Sequence, residues 1–359
     1  MNRYIALDAF RGLTIALMIL VNTPGSWSHV YSPFLHADWN GLTPTDLVFP
    51  FFLFIVGSAM FFAFKKSEFT LSAEQSVKII KRGIIIFLIG VFLNAFPFLA
   101  SFENLRIMGV LQRIALCYVA AAFLVLIFSR LGLFIVSILL LVSYPFILSI
   151  AGAEAAYSLD GNIVRTIDIA LWGESHLYQG KGLAFDPEGL ISSLPAVVSV
   201  IFGFEVTRMV SQSQSKNKAI IHLVKIAFVS IVAALIWQFW HPINKSLWTS
   251  SYVLVSSGLA CLVLAVFIYI IDIKNIEKPI VPLLIYGTNP LFIYVLSWLW
   301  VVSYVFVPTA DGSLHQWLFM RLADFMPEKL ASLVFGLSHV VLFGWISKWL
   351  YDRKIFIKI

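Results

Sequence analysis

Charge is what this sequence has least of. Asp, Glu, Lys and Arg make up 12% of its 359 residues, 60% are apolar, and mean hydropathy is +0.90. A water-soluble domain carries roughly 25% charged residues to clothe its surface. The apolar excess here must face lipid instead. Cysteine is also scarce. Cys117 and Cys261 both sit inside apolar runs, so neither a disulfide framework nor a cysteine metal motif can be built. The signatures of soluble enzymes are missing: there is no G-x-S-x-G elbow, H-E-x-x-H, C-x-x-C, G-x-G-x-x-G or P-loop. That counts against a metal hydrolase, an ATPase and a Rossmann enzyme. A long basic tract is absent too. The net charge of +6 comes from short Lys/Arg clusters between apolar runs, so nucleic acid is not an expected partner. The first apolar run carries Asp8 and Arg11 and lacks an A-x-A-like cleavage site, so it reads as a retained span and not a signal peptide. With no internal repeat, low-complexity tract or linker, residues 1–359 read as a single domain.

What the chain does have is a succession of charge-poor runs long enough to cross a bilayer. They fall at about 8–27, 44–64, 82–98, 105–128, 131–150, 190–210, 220–240, 250–271, 281–306 and 331–350. The expected fold is therefore all-α: a polytopic integral membrane helical bundle of about ten transmembrane helices. An even count puts both termini on one side. With that side cytosolic, only Arg106, Arg113, Arg165, Lys181, Lys245, Arg321 and Lys329 lie outside or in the outer half of a span, and the other 18 of 25 basic residues lie inside. This asymmetry predicts cytosolic N and C termini. The longest outer connection, 151–189, is expected to form a small extracytoplasmic cap.

In such a chain, chemistry has to come from polar residues embedded in apolar helices. Asp8, Arg11 and Asn22 share one face of the first span, with Arg11 and Asn22 separated by on the order of 16 Å along the axis. An interior Asp8–Arg11 pair and a helix-packing asparagine is the plain alternative. In the first outer loop, Thr43, Pro44 and Asp46 have the pattern of an N-cap, a first helical residue and the acidic partner of a capping box. His36 lies just upstream beside Asp38 and Asn40. Arg106 and Arg113, seven apart, are expected on one face of the fourth span, where Arg113 must meet a carboxylate, a phosphate or water. Asp186-Pro187-Glu188-Gly189 reads as a helix start. Asn289-Pro290 reads as a kink within the ninth span.

Six strings, in order, resemble the heparan-α-glucosaminide N-acetyltransferase family: LDAFRGLTIALMILVN, HADWNGLTPTDLVFPFFLFIVGS, GVLQRIA, FDPEG, PINKSLWTSSYV and GTNPLFIYV. The resemblance runs from residue 7 to about 295. That family consists of transmembrane acetyltransferases of lysosomes, with many bacterial members. The resemblance implies acetyl transfer from cytosolic acetyl-CoA to a glycan amine across the membrane, and it matches the family's active-site asparagine to Asn22 and its active-site histidine to His36. Two departures leave the acceptor open: the chain begins almost directly at the first shared span, and Thr23 to Leu35 does not follow the family pattern.

The reading that follows is a bacterial-type, inner-membrane acyltransferase with acetyl-CoA as donor, an extracytoplasmic amino sugar or glycan as acceptor, and no metal. His36 is the expected general base, Asn22 the oxyanion donor and Asp46 the residue that orients the histidine. Arg11, Gln112, Arg113, Asn244, Lys245, Trp248 and Asn289 are the expected donor contacts, with Arg11 and Arg113 on the CoA phosphates. Membrane lipids are expected partners, and a monomer and a homodimer both stay open. A transporter or a lipid or glycan flippase is the rival reading, since buried Arg and Asn suit it equally.

Overall fold

Backbone groups in lipid can be satisfied only within helices or closed barrels, and these apolar runs form helices. The structure, a computed structural model, describes residues 4–99, 101–150, 152, 155–310 and 312–357. Arg3 and Lys358 of the inner basic set therefore lie outside the described residues. Thirteen helices follow in order: α1 (Ile5–Asn22), α2 (Val48–Lys65), α3 (Ala73–Ala95), α4 (Val110–Ile127), α5 (Arg130–Ser149), α6 (Ile163–Trp172), α7 (Ser193–Gln212), α8 (Lys216–Trp237), α9 (Ser250–Ile268), α10 (Val281–Tyr286), α11 (Pro290–Val305), α12 (Leu314–Ala323) and α13 (Glu328–Asp352). One two-residue hairpin, Pro308–Thr309 with Gly312–Ser313, interrupts them.

The chain is a polytopic helical membrane protein. Among the described residues eight helices are long and apolar enough to cross a membrane, and α10 with α11 makes a ninth, bent by 72°. The break falls at the expected Asn289-Pro290. Proline removes a helical donor and clashes with the preceding turn, so the helix restarts there in a new direction. The remaining expected span is α3. Glu74, Lys78, Lys81 and Arg82 fall within its first ten residues, and the remaining charge-free stretch, 83–95, is shorter than a full crossing.

The helices divide into two compact units, one of described residues 4–37, 43–49 and 266–357, the other of 38–42 and 50–265. In the first unit α1 packs on α10, α11 and α13. Gly12 allows this, because a Cβ there would stand 1.7 Å from the Leu283 carbonyl oxygen of α10. In the second unit α4 packs on α3 and α7, and α7 also packs on α5 and α8. Lipid-crossing helices have no hydrophobic drive to associate and depend on such close packing.

The described part of the 151–189 connection, in the second unit, contains α6. Asn162 caps that helix, accepting from Arg165 N–H at 2.9 Å. Val164 faces an apolar cluster with Tyr144, Leu148, Ala156, Phe185 and Leu247.

Two local expectations change. Residues 105–109 are not helical and α4 begins at Val110, so Arg106 and Arg113 do not share a helical face. Asn94 instead donates to the Arg106 and Met108 carbonyls, both at 2.9 Å, and holds this entry irregular. Nor does a helix start at Asp186. Its carboxylate is engaged by Arg106 at 2.8 and 2.7 Å, and the next helix waits until Ser193.

Candidate active site

His36 lies in the first unit, on a loop drawn together by side chains from the segment just before α2. Thr45 Oγ1 donates to the Pro33 carbonyl at 3.2 Å, and Thr43 Oγ1 donates to the Leu35 carbonyl at 2.7 Å. Asp46 completes the clamp. Its Oδ2 accepts from Ala37 N–H at 3.1 Å and Thr43 N–H at 3.0 Å and shares the one Thr43 hydroxyl proton, at 3.0 Å, with the nearer Leu35 carbonyl, and its Oδ1 lies 2.7 Å from His36 Nδ1. The bond from Thr43 N–H is half of the expected capping box, and Asp46 N–H returns one to the Thr43 carbonyl at 3.1 Å. The rest of the carboxylate holds the histidine loop.

The exposures of the two partners are opposite: the side chain of Asp46 is 1% exposed and that of His36 is 46% exposed. A carboxylate is an acceptor, so the shared proton belongs on Nδ1 and the imidazole's lone pair on Nε2. A buried acid thus fixes the tautomer and direction of an exposed base. Asn22 is the last residue of α1, in the same unit, with an exposed side chain that takes no partner among the described residues.

Two more expected residues belong to this unit. Arg11 donates to an Asp8 carboxylate oxygen through Nη2 and to the Gly287 carbonyl through Nη1 at 3.2 Å. Gly287 is the residue at which α10 ends. Asn289 acts as a backbone mimic at the helix break: Nδ2 donates to the Ile355 carbonyl at 2.9 Å and Oδ1 accepts from Ile357 N–H at 2.8 Å.

The other expected residues belong to the second unit. Arg113 is fully buried, donates to the Gly189 carbonyl at 3.1 Å and to Ser192 Oγ, and lies over the Trp248 ring at 5.0 Å. Its Nε and Nη1 meet no acceptor among the described residues. Trp248 has a φ of 52°, a left-handed backbone that a bulky residue adopts only when its surroundings enforce it. Burial against Arg113 and Tyr252 supplies that enforcement. Gln112 donates to the Ile107 carbonyl at 2.9 Å. Asn244 accepts from Leu247 N–H at 2.8 Å and donates to Asn40 Oδ1 at 3.0 Å. Lys245 is half-buried in the same turn. The structure thus joins His36 to Asp46 and Arg113 to Trp248, and ties Asn244 to the tract just after His36.

Sequence reasoning missed three supports of the second unit. Trp39 donates to the Tyr157 carbonyl at 2.7 Å and packs edge-on against Phe185. His241 accepts from Ser250 N–H at 2.8 Å through Nε2, so its proton lies on Nδ1, 2.7 Å from Tyr157 Oη. Burial pushes this imidazole down to about 4. Asp168 accepts from Leu190 N–H at 3.0 Å, and burial pushes its carboxyl up to about 6. Gly189 has to be glycine here, because a Cβ would lie 1.9 Å from Asp168 Oδ2. The sequence signal nearest these supports is the PINKSLWTSSYV string that follows His241.

The family model described as the catalytic part of heparan-alpha-glucosaminide N-acetyltransferase matches residues 3–168, the stretch that holds Asn22, His36 and Asp46. Two curated relatives carry the name heparan-alpha-glucosaminide N-acetyltransferase. The human protein is 28% identical over 354 residues, covering 81% of this chain and 52% of its own length. The mouse protein is 28% identical over 418 residues, covering all of this chain and 61% of its own length. The chain therefore spans half to three-fifths of these relatives.

Proposed function

Since the chain belongs to the heparan-α-glucosaminide N-acetyltransferase family, we propose that it transfers acetyl from cytosolic acetyl-CoA to an amino sugar or glycan amine beyond the membrane. The bacterial inner membrane is the proposed location; with α3 taken as the tenth crossing, the basic residues put both chain ends in the cytosol. One observation carries this reading: the exposed His36 held at 2.7 Å by the buried Asp46. This is the base-and-orienter geometry that acyl transfer uses.

In the proposed reaction the acceptor nitrogen attacks the thioester carbon and His36 Nε2 takes the nitrogen's proton. As the C–S bond breaks, the imidazolium returns that proton to the departing thiolate. Asn22 donates to the carbonyl oxygen while it is an oxyanion. Asp46 stays an acceptor throughout and stabilises the imidazolium. A route through an acetyl-histidine uses the same residues, with Nε2 as nucleophile. Of the expected donor contacts we keep Arg11, which shares α1 with Asn22. Gln112, Arg113, Asn244, Trp248 and Asn289 are assigned to the scaffold, because each is buried as well as engaged with backbone or ring partners, whereas Arg11 stays partly exposed beside its Asp8 and Gly287 partners.

The test is transfer of labelled acetyl from acetyl-CoA by purified protein to glucosamine and to glycans ending in it, with glucose as the amine-free control. Label on the amine, with one thiol released per acetyl, supports the reading. Absence of both transfer and thiol release would leave the transporter or flippase reading in its place.

A further inference from the structure

The second unit carries a groove unrelated to His36. About 510 Å³ of space opens between the starts of α5 and α8, over the end of α7, lined by Arg130, Met209, Gln212, Lys218, Ile221 and His222. Its volume falls in the range of about 300–1,000 Å³ typical of ligand clefts. Its polar rim is cationic. Arg208, Lys216 and Lys225 lie on the same two helices, α7 and α8, and the acid among them, Glu205, is shared between Arg130 at 3.3 Å and Arg208 at 3.1 Å. Two cations divide one carboxylate, so an excess of positive charge remains. The N-termini of α5 and α8 add partial positive charge, and the C-terminus of α7 opposes it.

Below the rim the two flanking helices turn apolar, and their side chains are left uncovered. On α5, Leu131, Phe134 and Ile135 are 68%, 64% and 48% exposed; on α8, Ile221, Val224 and Phe228 are 52%, 45% and 68% exposed. Both helices are candidate spans with only 22% and 28% of their residues buried, against 72% for α7 between them. A phosphate at the rim would therefore continue into exposed hydrocarbon-facing surface. A soluble nucleotide has no group to match that second feature, whereas a phospholipid has both.

We propose that this groove binds an anionic phospholipid, with its headgroup phosphate on Arg130 and Lys218 and its acyl chains along α5 and α8. Basic clefts between membrane helices are read this way on general electrostatic grounds. The site is independent of the acetyl-transfer reading.

The test titrates phosphatidylglycerol into the intact protein in phosphatidylcholine nanodiscs and counts bound lipid by native mass spectrometry. A direct charged contact to the headgroup phosphate is worth about tenfold or more per residue, so Arg130→Ala with Lys218→Ala should weaken phosphatidylglycerol binding by about a hundredfold. The pair Lys65→Ala with Lys66→Ala removes the same charge elsewhere and should leave binding unchanged. Equal loss in both pairs would mean bulk charge attraction and overturn the site, as would no loss in the groove pair. Adenosine 3′,5′-bisphosphate serves as the soluble phosphate probe: if it protects the groove and phosphatidylglycerol does not, the occupant is wrong. All four side chains are at the surface, and an unshifted thermal midpoint checks that the variants fold.

Discussion

Asp46 accepts from the backbone N–H groups of Ala37 and Thr43 as well as from His36, so the histidine is one of several donors that hold it. A carboxylate so fully engaged by its own loop cannot swing away, so the imidazole it orients keeps one tautomer. Replacing Asp46 with Asn puts an amide donor where only an acceptor fits. Turnover should fall by about 10²–10⁴, the range for a disabled general base, with acetyl-CoA affinity retained. Thr43→Val, which removes a single hydroxyl donor, should cost less than about tenfold, because two backbone donors remain on Oδ2. Steady-state kinetics on both variants would separate orientation of His36 from simple loop stability: equal losses would assign Asp46 to the loop alone. Asn22 offers the complementary case. It is exposed and no described group depends on it, so Asn22→Ala should leave the thermal midpoint in place while turnover drops about 10²–10³. A shifted midpoint with unchanged turnover would make it a packing residue.

Among the elements, α9 shows how a histidine can serve structure alone. His241 caps the start of this helix through Nε2, and that bond is lost when Nε2 gains a proton. Burial sets the folded value at about 4, below the ordinary 6.5. The stabilisation is therefore complete above pH 6.5 and is lost as pH falls through about 4, amounting to about 3 kcal/mol. Asp168 acts with the opposite sign: its raised carboxyl favours the folded state at low pH, and that contribution is lost as pH rises through about 6. Thermal midpoints at neutral and acid pH should show that His241→Gln flattens the acid decline of the wild type. Identical slopes would clear the histidine. Much of this element-level design was legible in the chain. The Asn289-Pro290 break and the Thr43 to Asp46 turn follow from local chemistry, and local chemistry is visible in order along a sequence. Asp186 was misread because its partner, Arg106, is 80 residues away. The same holds for Arg113, whose depth was evident but whose partners Gly189 and Ser192 were not. Pairing over such separations is decided by packing, which no local pattern encodes.

For the whole molecule, the basic residues set the proposed orientation. Reporter fusions after Lys66, after Lys216 and at the C-terminus should read cytosolic, and those near Ser158 and Ala310 extracytoplasmic. Opposite readings at two or more sites would invert the donor and acceptor sides. Neither the helix count nor this orientation depends on the reaction, however, so the central claim needs its own measurement. That measurement is single-turnover transfer from radiolabelled acetyl-CoA by wild type and His36→Ala, with acetyl-CoA binding recorded alongside. Donor affinity should be unchanged and the rate about 10²–10⁴ lower in the variant. Retention of more than about a tenth of the wild-type rate would remove His36 from the mechanism.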